Sequence, residues 1–173
     1  MTGIMAAVAG TSQNIIYAAG LYNTSTGGDQ SPITGSVTNT TQSTTVTRDF
    51  TWIGYFTPVS SATVSLSLQT TATIGDNSDT ASTTGRLWLG DTAKSGFTDG
   101  NANITATGNQ TVSASFPMVL GVKYPIRIRW IGSYTVGPLF LGGLSASGSL
   151  TFLASGSSNV TDRIFYNSIT NGF

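Results

Sequence analysis

Polar and apolar residues alternate with a period of two along most of this chain, and a helical 3.6-residue period is sustained nowhere. Val, Ile, Thr, Phe, Tyr and Trp fill the alternating runs, so strands are the predicted regular structure. In TRDFTWIGYFT, residues 47–57, Phe50, Trp52 and Phe56 share one face, and Pro58 closes the run because it cannot donate to a ladder. In ATVSLSLQT, residues 62–70, Val64, Leu66 and Leu68 alternate with Thr63, Ser65 and Ser67, which predicts one buried face and one wet face. Further strands are predicted at RLWLG (86–90), TVSASF (111–116) and YPIRIRW (124–130). In the last, Tyr124, Ile126, Ile128 and Trp130 face away from Arg127 and Arg129, which places the arginines on the solvent face. Shorter candidates begin at Leu139, Ser149 and Asp162, each bounded by Gly, Ser or Asn turn formers.

Many short strands separated by turn signals predict an all-β fold, a single antiparallel β-sandwich of jelly-roll-like type. Residues 23–46, NTSTGGDQSPITGSVTNTTQSTTV, carry little periodicity and much Gly, Ser, Thr and Asn, so they are expected to be a long arm or loop. The expected organisation is therefore an extended N-terminal arm and loop-rich segment over 1–46 and a sandwich domain over 47–173. The opening MTGIMAAVAG has no basic n-region and is too short to span a bilayer, which leaves a packing role. Two packings are open: a terminal strand in the chain's own sheet, or Ile4, Met5 and Val8 docked on a neighbouring subunit.

Composition narrows the functional classes. Charged residues make up 8% of the 173-residue chain, against about 25% in ordinary globular proteins, so hydroxyls rather than charges cover the surface. Hydrophobic residues at 39% and aromatics at 10% are enough to support a core, which argues against disorder. Seven basic residues balance seven acidic ones, leaving no excess charge to hold nucleic acid or an anionic membrane. Zero net charge also weakens repulsion between copies and favours assembly.

The chain contains no His, Cys or Glu, which removes the commonest general base and metal ligand and thiol chemistry together. An enzyme is not expected, nor is a cofactor. No metal is expected: Asp76 and Asp79, with Asn77, read as a polar turn, and the alternative for them is a Ca²⁺ site. Asp91, Asp99 and Asn101 carry the same two readings. Lys123, Arg127 and Arg129 form the densest basic patch, expected as a wet sheet face or as an ion pair with a neighbouring subunit.

WIGYFTP (52–58), RLWLG (86–90) and GVKYPIRIRW (121–130), in that order, resemble the GLEYA domain and the related anthrax-protective-antigen-type β-sandwich. GDTAKSGFTDGNANI (90–104) is similar to a version of this module found in structural proteins of tailed bacteriophages of marine cyanobacteria. The resemblance implies a virion structural protein, a capsid decoration or knob subunit partnered by the major capsid protein or other virion subunits. The alternatives are a lectin-like module binding host-surface glycan, or a minor tail or fibre component. It also implies paired aspartates just before RLWLG to hold calcium and sugar in the lectin members; here TATIGDNSDTASTTG has no adjacent Asp-Asp.

Overall fold

The computed structural model describes residues 33–56, 58, 62–138 and 143–154, with short backbone strands at 5–8, 22–23, 28–29 and 165–166. Strand is its dominant regular structure, as the alternation requires. The strands are β1 (Met5–Val8), β2 (Tyr22–Asn23), β3 (Gly28–Asp29), β4 (Ile33–Asn39), β5 (Thr44–Phe56), β6 (Ala62–Ile74) and β7 (Thr80–Leu89). They continue with β8 (Ile104–Thr107), β9 (Gln110–Met118), β10 (Tyr124–Val136), β11 (Ala146–Ala154) and β12 (Phe165–Tyr166). One sheet has the order β1-β5-β10-β7-β8, with β12 also on β5; the other has the order β4-β11-β6-β9. Every pairing between described strands is antiparallel, and β2 with β3 forms a separate ladder.

The two sheets face one another across a single core. Phe50, Trp52, Phe56, Leu87, Ile126, Ile128, Trp130 and Tyr134 enter it from the first sheet, and Val37, Leu66, Leu68, Leu150 and Phe152 from the second. Even-numbered positions of β10 point inward along its whole length, so the period of two read at 124–130 persists to Val136.

Residues 23–46 are not all arm or loop. Ile33–Asn39 is an ordinary sheet strand, in register with β11 from Ala146↔Asn39 to Phe152↔Ile33. Its inward residues are Gly35, Val37 and Asn39, so an apolar period was scarcely visible. Gly35 lies beneath Trp130, where an added Cβ would stand 2.7 Å from the ring. Asn39 is buried but satisfied: its amide donates to the carbonyls of Thr44 (2.9 Å) and Tyr134 (3.0 Å), and its Oδ1 accepts from Thr41 N–H (3.1 Å). Such pairing removes most of the cost of burying an amide. Of the arm residues named above, Met5 and Val8 lie on β1, whose backbone pairs with Ile53–Phe50 of β5; Ile4 lies outside the described residues, as does the start of the strand expected from Leu139.

Tyr134 fills the space over Gly132 and Gly148, and a Cβ on either glycine would collide with its ring and hydroxyl. Burial pushes the phenol's pKa up, opposed weakly by the neighbouring Thr83 hydroxyl and Trp130 indole. Gly148→Ala is therefore expected to destabilise the protein by about 1–3 kcal/mol, the usual cost of overpacking a rigid core. Urea denaturation checks this, and an unchanged midpoint would mean that Tyr134 swings aside freely.

Candidate functional site

In RLWLG, Leu87 and Trp88 are adjacent on a strand, so they cannot both face the core. Leu87 enters the sandwich, while Trp88 points out of the first sheet and is nevertheless 1% exposed. What buries it is the segment 90–103. Gly90, at φ 78°, turns the chain out of β7, a conformation that side-chain-bearing residues rarely adopt. A single helical turn, α1 (Asp91–Lys94), follows and buries Ala93, and a 3₁₀ turn at Asp99–Asn101 brings the chain back.

Polar contacts fix this cover in place. The Trp88 indole N–H is shared between the Thr98 carbonyl and Asn101 Oδ1, each at 2.9 Å. Asn101 Oδ1 also accepts from Thr98 N–H (2.8 Å), and its amide donates to the Gly96 carbonyl (2.9 Å). Asn103 accepts from Leu89 N–H at 2.7 Å, tying the return of the segment to the end of β7.

The arginines of β10 complete the site. Arg127 donates Nε–H to the Ala93 carbonyl (2.9 Å), and its guanidinium lies 3.8 Å from the centroid of the Phe97 ring. Partial burial lowers its pKa from the usual arginine value, yet arginine stays charged across the physiological range. Phe97 also meets Trp88 edge-on at 5.8 Å, and it remains 40% exposed. One side of the ring is thus clamped while the rest faces solvent.

Arg129 and Arg86 are direct cross-strand partners, an unfavourable pairing by itself. Each is neutralised from its outer side. Arg129 makes two bonds to Asp49 (2.8 and 2.6 Å), and Arg86 pairs with Asp99 at 3.2 Å. The bond to Asp49 raises the Arg129 pKa more than burial lowers it. The outward direction of Arg127 and Arg129 is as alternation required, but neither is a bare solvated cation or left for a neighbouring subunit: both are committed within the chain. Lys123 stands apart from them, in the β9–β10 turn.

Asp91, Asp99 and Asn101 all fall in the 90–103 segment, but their neighbours are not those of a metal site. Asp99 faces Arg86, and Asn101 is spent on Trp88 and the turn. At the opposite end of the sandwich, Asp76 and Asp79 shape the β6–β7 turn. Asp76 Oδ1 accepts from Ser78 N–H (2.7 Å) and the Ser78 hydroxyl (2.6 Å). Asp79 is 3% exposed and accepts from Gly75 and Asp76 N–H (both 3.2 Å) and Gly137 N–H (2.9 Å). Calcium wants a shell of converging oxygens, whereas these carboxylates face N–H donors. Among the described residues no three His, Cys, Asp or Glu side chains gather as a metal cluster. Asp76 and Asp79 thus act as acceptors that close the β6–β7 turn.

Residues 49–139, just over half of the chain, match the GLEYA domain family. The chain belongs to that family. The matched span of this GLEYA domain runs from β5 to the end of β10 and takes in both the Trp88 segment and the Asp79 turn, while β4 and β11 complete the second sheet from outside it. GLEYA domains are carbohydrate-binding-like adhesin domains. No curated protein matches the chain.

Trp88 and Phe97 are the site residues that the pattern of strands did not single out. The signal was present: in an alternating strand with two adjacent large apolar residues, one must face outward, and a long following segment has to cover it. The sequence DTAKSGFTDGN supplies that cover with one aromatic.

Proposed function

We propose that this GLEYA domain is a carbohydrate-binding module of adhesin type, acting by contact rather than catalysis. The observation that carries the reading is Phe97, an aromatic ring fixed by Arg127 and Trp88 yet 40% exposed. A sugar presents an apolar C–H face ringed by hydroxyls, and the matching surface is a rigid ring with a few polar groups at its margin. The Asp99 carboxylate on this segment, 60% exposed, supplies an acceptor, and its partner Arg86 on β7 supplies a donor beside it. Rigidity matters because an already ordered platform loses little freedom on binding. The absence of His, Cys and Glu supports a binding role.

A glycan array run with calcium and with chelator tests the reading, and no binding under either condition would sink it. For a glycan that binds, Phe97→Ala is expected to weaken affinity about tenfold, equivalent to about 1.4 kcal/mol, with the circular dichroism spectrum unchanged. Affinity unchanged by that substitution would move the site off this face. Because Asp76 and Asp79 are turned onto backbone N–H groups, chelation is expected to leave binding as it was.

The likeness of residues 90–104 to a phage structural module favours a second setting for the same contact chemistry, the surface of a capsid or tail. Stoichiometric recovery of the chain from purified particles by mass spectrometry supports that setting, and its absence from them ends it.

A further inference from the structure

We infer that the outer edge of β9 is a self-association surface, pairing antiparallel with β9 of a second copy of this chain. This goes beyond the glycan reading and does not depend on it. β9 ends the second sheet, and among the described residues no strand lies on its far side. It pairs with β6 in nine consecutive steps, from Ala62↔Met118 to Thr70↔Gln110, without a bulge. Gln110–Met118 also contains no charged residue. Soluble proteins usually blunt an open edge with a lysine, a bulge, a covering element or a proline. Of these devices, among the described residues, β9 has only Pro117, at its far end.

The inward row of the same strand is unfinished. Val112, Ala114 and Phe116 pack on the core but remain half-buried, whereas Leu66 and Leu68 on the adjoining strand are fully buried. The cause is an imbalance of lengths, since the first sheet ends on that side in β8, with four residues against the nine of β9. A strand added at the β9 edge would lay its own inward row alongside this one and shield its open flank.

A second copy fits this edge because β9 is complementary to itself. In an antiparallel pair centred on Ala114, Val112 stands opposite the Phe116 position of the other copy, and Ser113 opposite the Ser115 position, each twice by symmetry. Aromatic with β-branched and hydroxyl with hydroxyl are both favourable cross-strand pairs. The two-fold axis makes the contact closed, which yields a dimer rather than a fibre. With formal net charge zero, two copies meet without repulsion. On the glycan reading, each dimer would carry two Phe97 platforms, which raises avidity for a repeating polymer.

Sedimentation equilibrium of the full chain, without glycan, is the test. The wild type is expected to pass from monomer to dimer with rising concentration. Changing Ser113→Lys together with Ser115→Lys sets like charges opposite one another twice and should raise the dissociation constant at least tenfold. Both positions are exposed, and Ser113→Lys gives up only the exposed hydroxyl bond to Ser67 (2.7 Å), so the thermal melt of the monomer should fall by no more than a few degrees. Combining Ser113→Lys with Ser115→Asp sets opposite charges across the same two positions and should restore the dimer. A wild type that stays monomeric, a double-lysine variant that still dimerises, or a lysine–aspartate variant that stays monomeric would each overturn the proposal. Because no glycan is present, failure here and failure of glycan binding are separate results.

Discussion

Trp88→Ala should cost this GLEYA domain about 3–5 kcal/mol of stability, the usual loss for a buried tryptophan, and on the proposed carbohydrate-binding role should abolish glycan binding with it. The indole is 1% exposed although it stands on the outer face of its sheet. Its removal deletes the surface against which α1, Phe97 and the 3₁₀ turn are laid. It also deletes the N–H shared by the Thr98 carbonyl and Asn101 Oδ1. Truncation therefore releases the segment from the sheet as well as leaving a cavity. Phe97 then loses its edge-on contact with the indole and keeps the Arg127 guanidinium, so it is held less firmly. Urea denaturation gives the stability change, and a glycan-binding isotherm under folding conditions gives the loss of affinity. Trp88→Phe separates the two contributions: the ring-sized volume survives while the indole N–H does not, so a smaller loss of stability is expected. Full binding by Trp88→Ala at a temperature where it is folded would show that the segment holds its shape alone.

How far the architecture was legible depended on what each strand placed inward. Where inward residues are large and apolar, as with Val64, Leu66 and Leu68 or Ile126, Ile128 and Trp130, period two marked the strand and its buried face together. Where they are small or polar, the same geometry left almost no trace. In β7 the inward Thr83 and Gly85 precede Leu87: Thr83 accepts the Trp130 indole N–H at 2.7 Å, and Gly85 makes room for Leu150. The expected strand at 86–90 is thus only the apolar end of a strand that begins at Thr80. In β4 the inward glycine and asparagine hid the whole element. In the case of Gly35, which lies beneath Trp130 of the other sheet, the large ring that announced its own strand obscured the strand facing it.

The candidate site was less legible for a related reason. Alternation reports which way a side chain points but not what covers it. Arg127 and Arg129 were correctly placed on the outer face, yet the Phe97 ring under one guanidinium and the Asp49 carboxylate on the other come from residues 30 and 80 positions away along the chain. The same holds for Asp79. Its spacing from Asp76 suggested a polar turn, but not that Gly137, on a segment 58 residues away, supplies one of the N–H groups it accepts.

That contact gives the second large effect. Asp79→Ala should cost about 3 kcal/mol or more, because carboxylates accepting backbone N–H groups form the stronger class of hydrogen bond and buried donors left without acceptors carry a desolvation penalty. Asp79 Oδ2 takes the Gly75 and Asp76 N–H groups, and Oδ1 takes that of Gly137. Gly75 keeps a second acceptor in the Ser145 carbonyl at 2.7 Å, so the loss falls chiefly on Asp76 and Gly137. Those two N–H groups belong to the β6–β7 turn and to the exit of β10, which places one carboxylate between strands of different sheets. Asp79→Asn retains one oxygen but turns an amide N–H₂ toward backbone donors, so its loss should approach that of alanine. A simple lost bond to water would instead spare asparagine. The two variants are compared by urea denaturation in chelator, which keeps any added cation out of the result. If both lay within about 0.5 kcal/mol of the wild type, the range of ordinary surface changes, the carboxylate would not be the lock of this end of the sandwich.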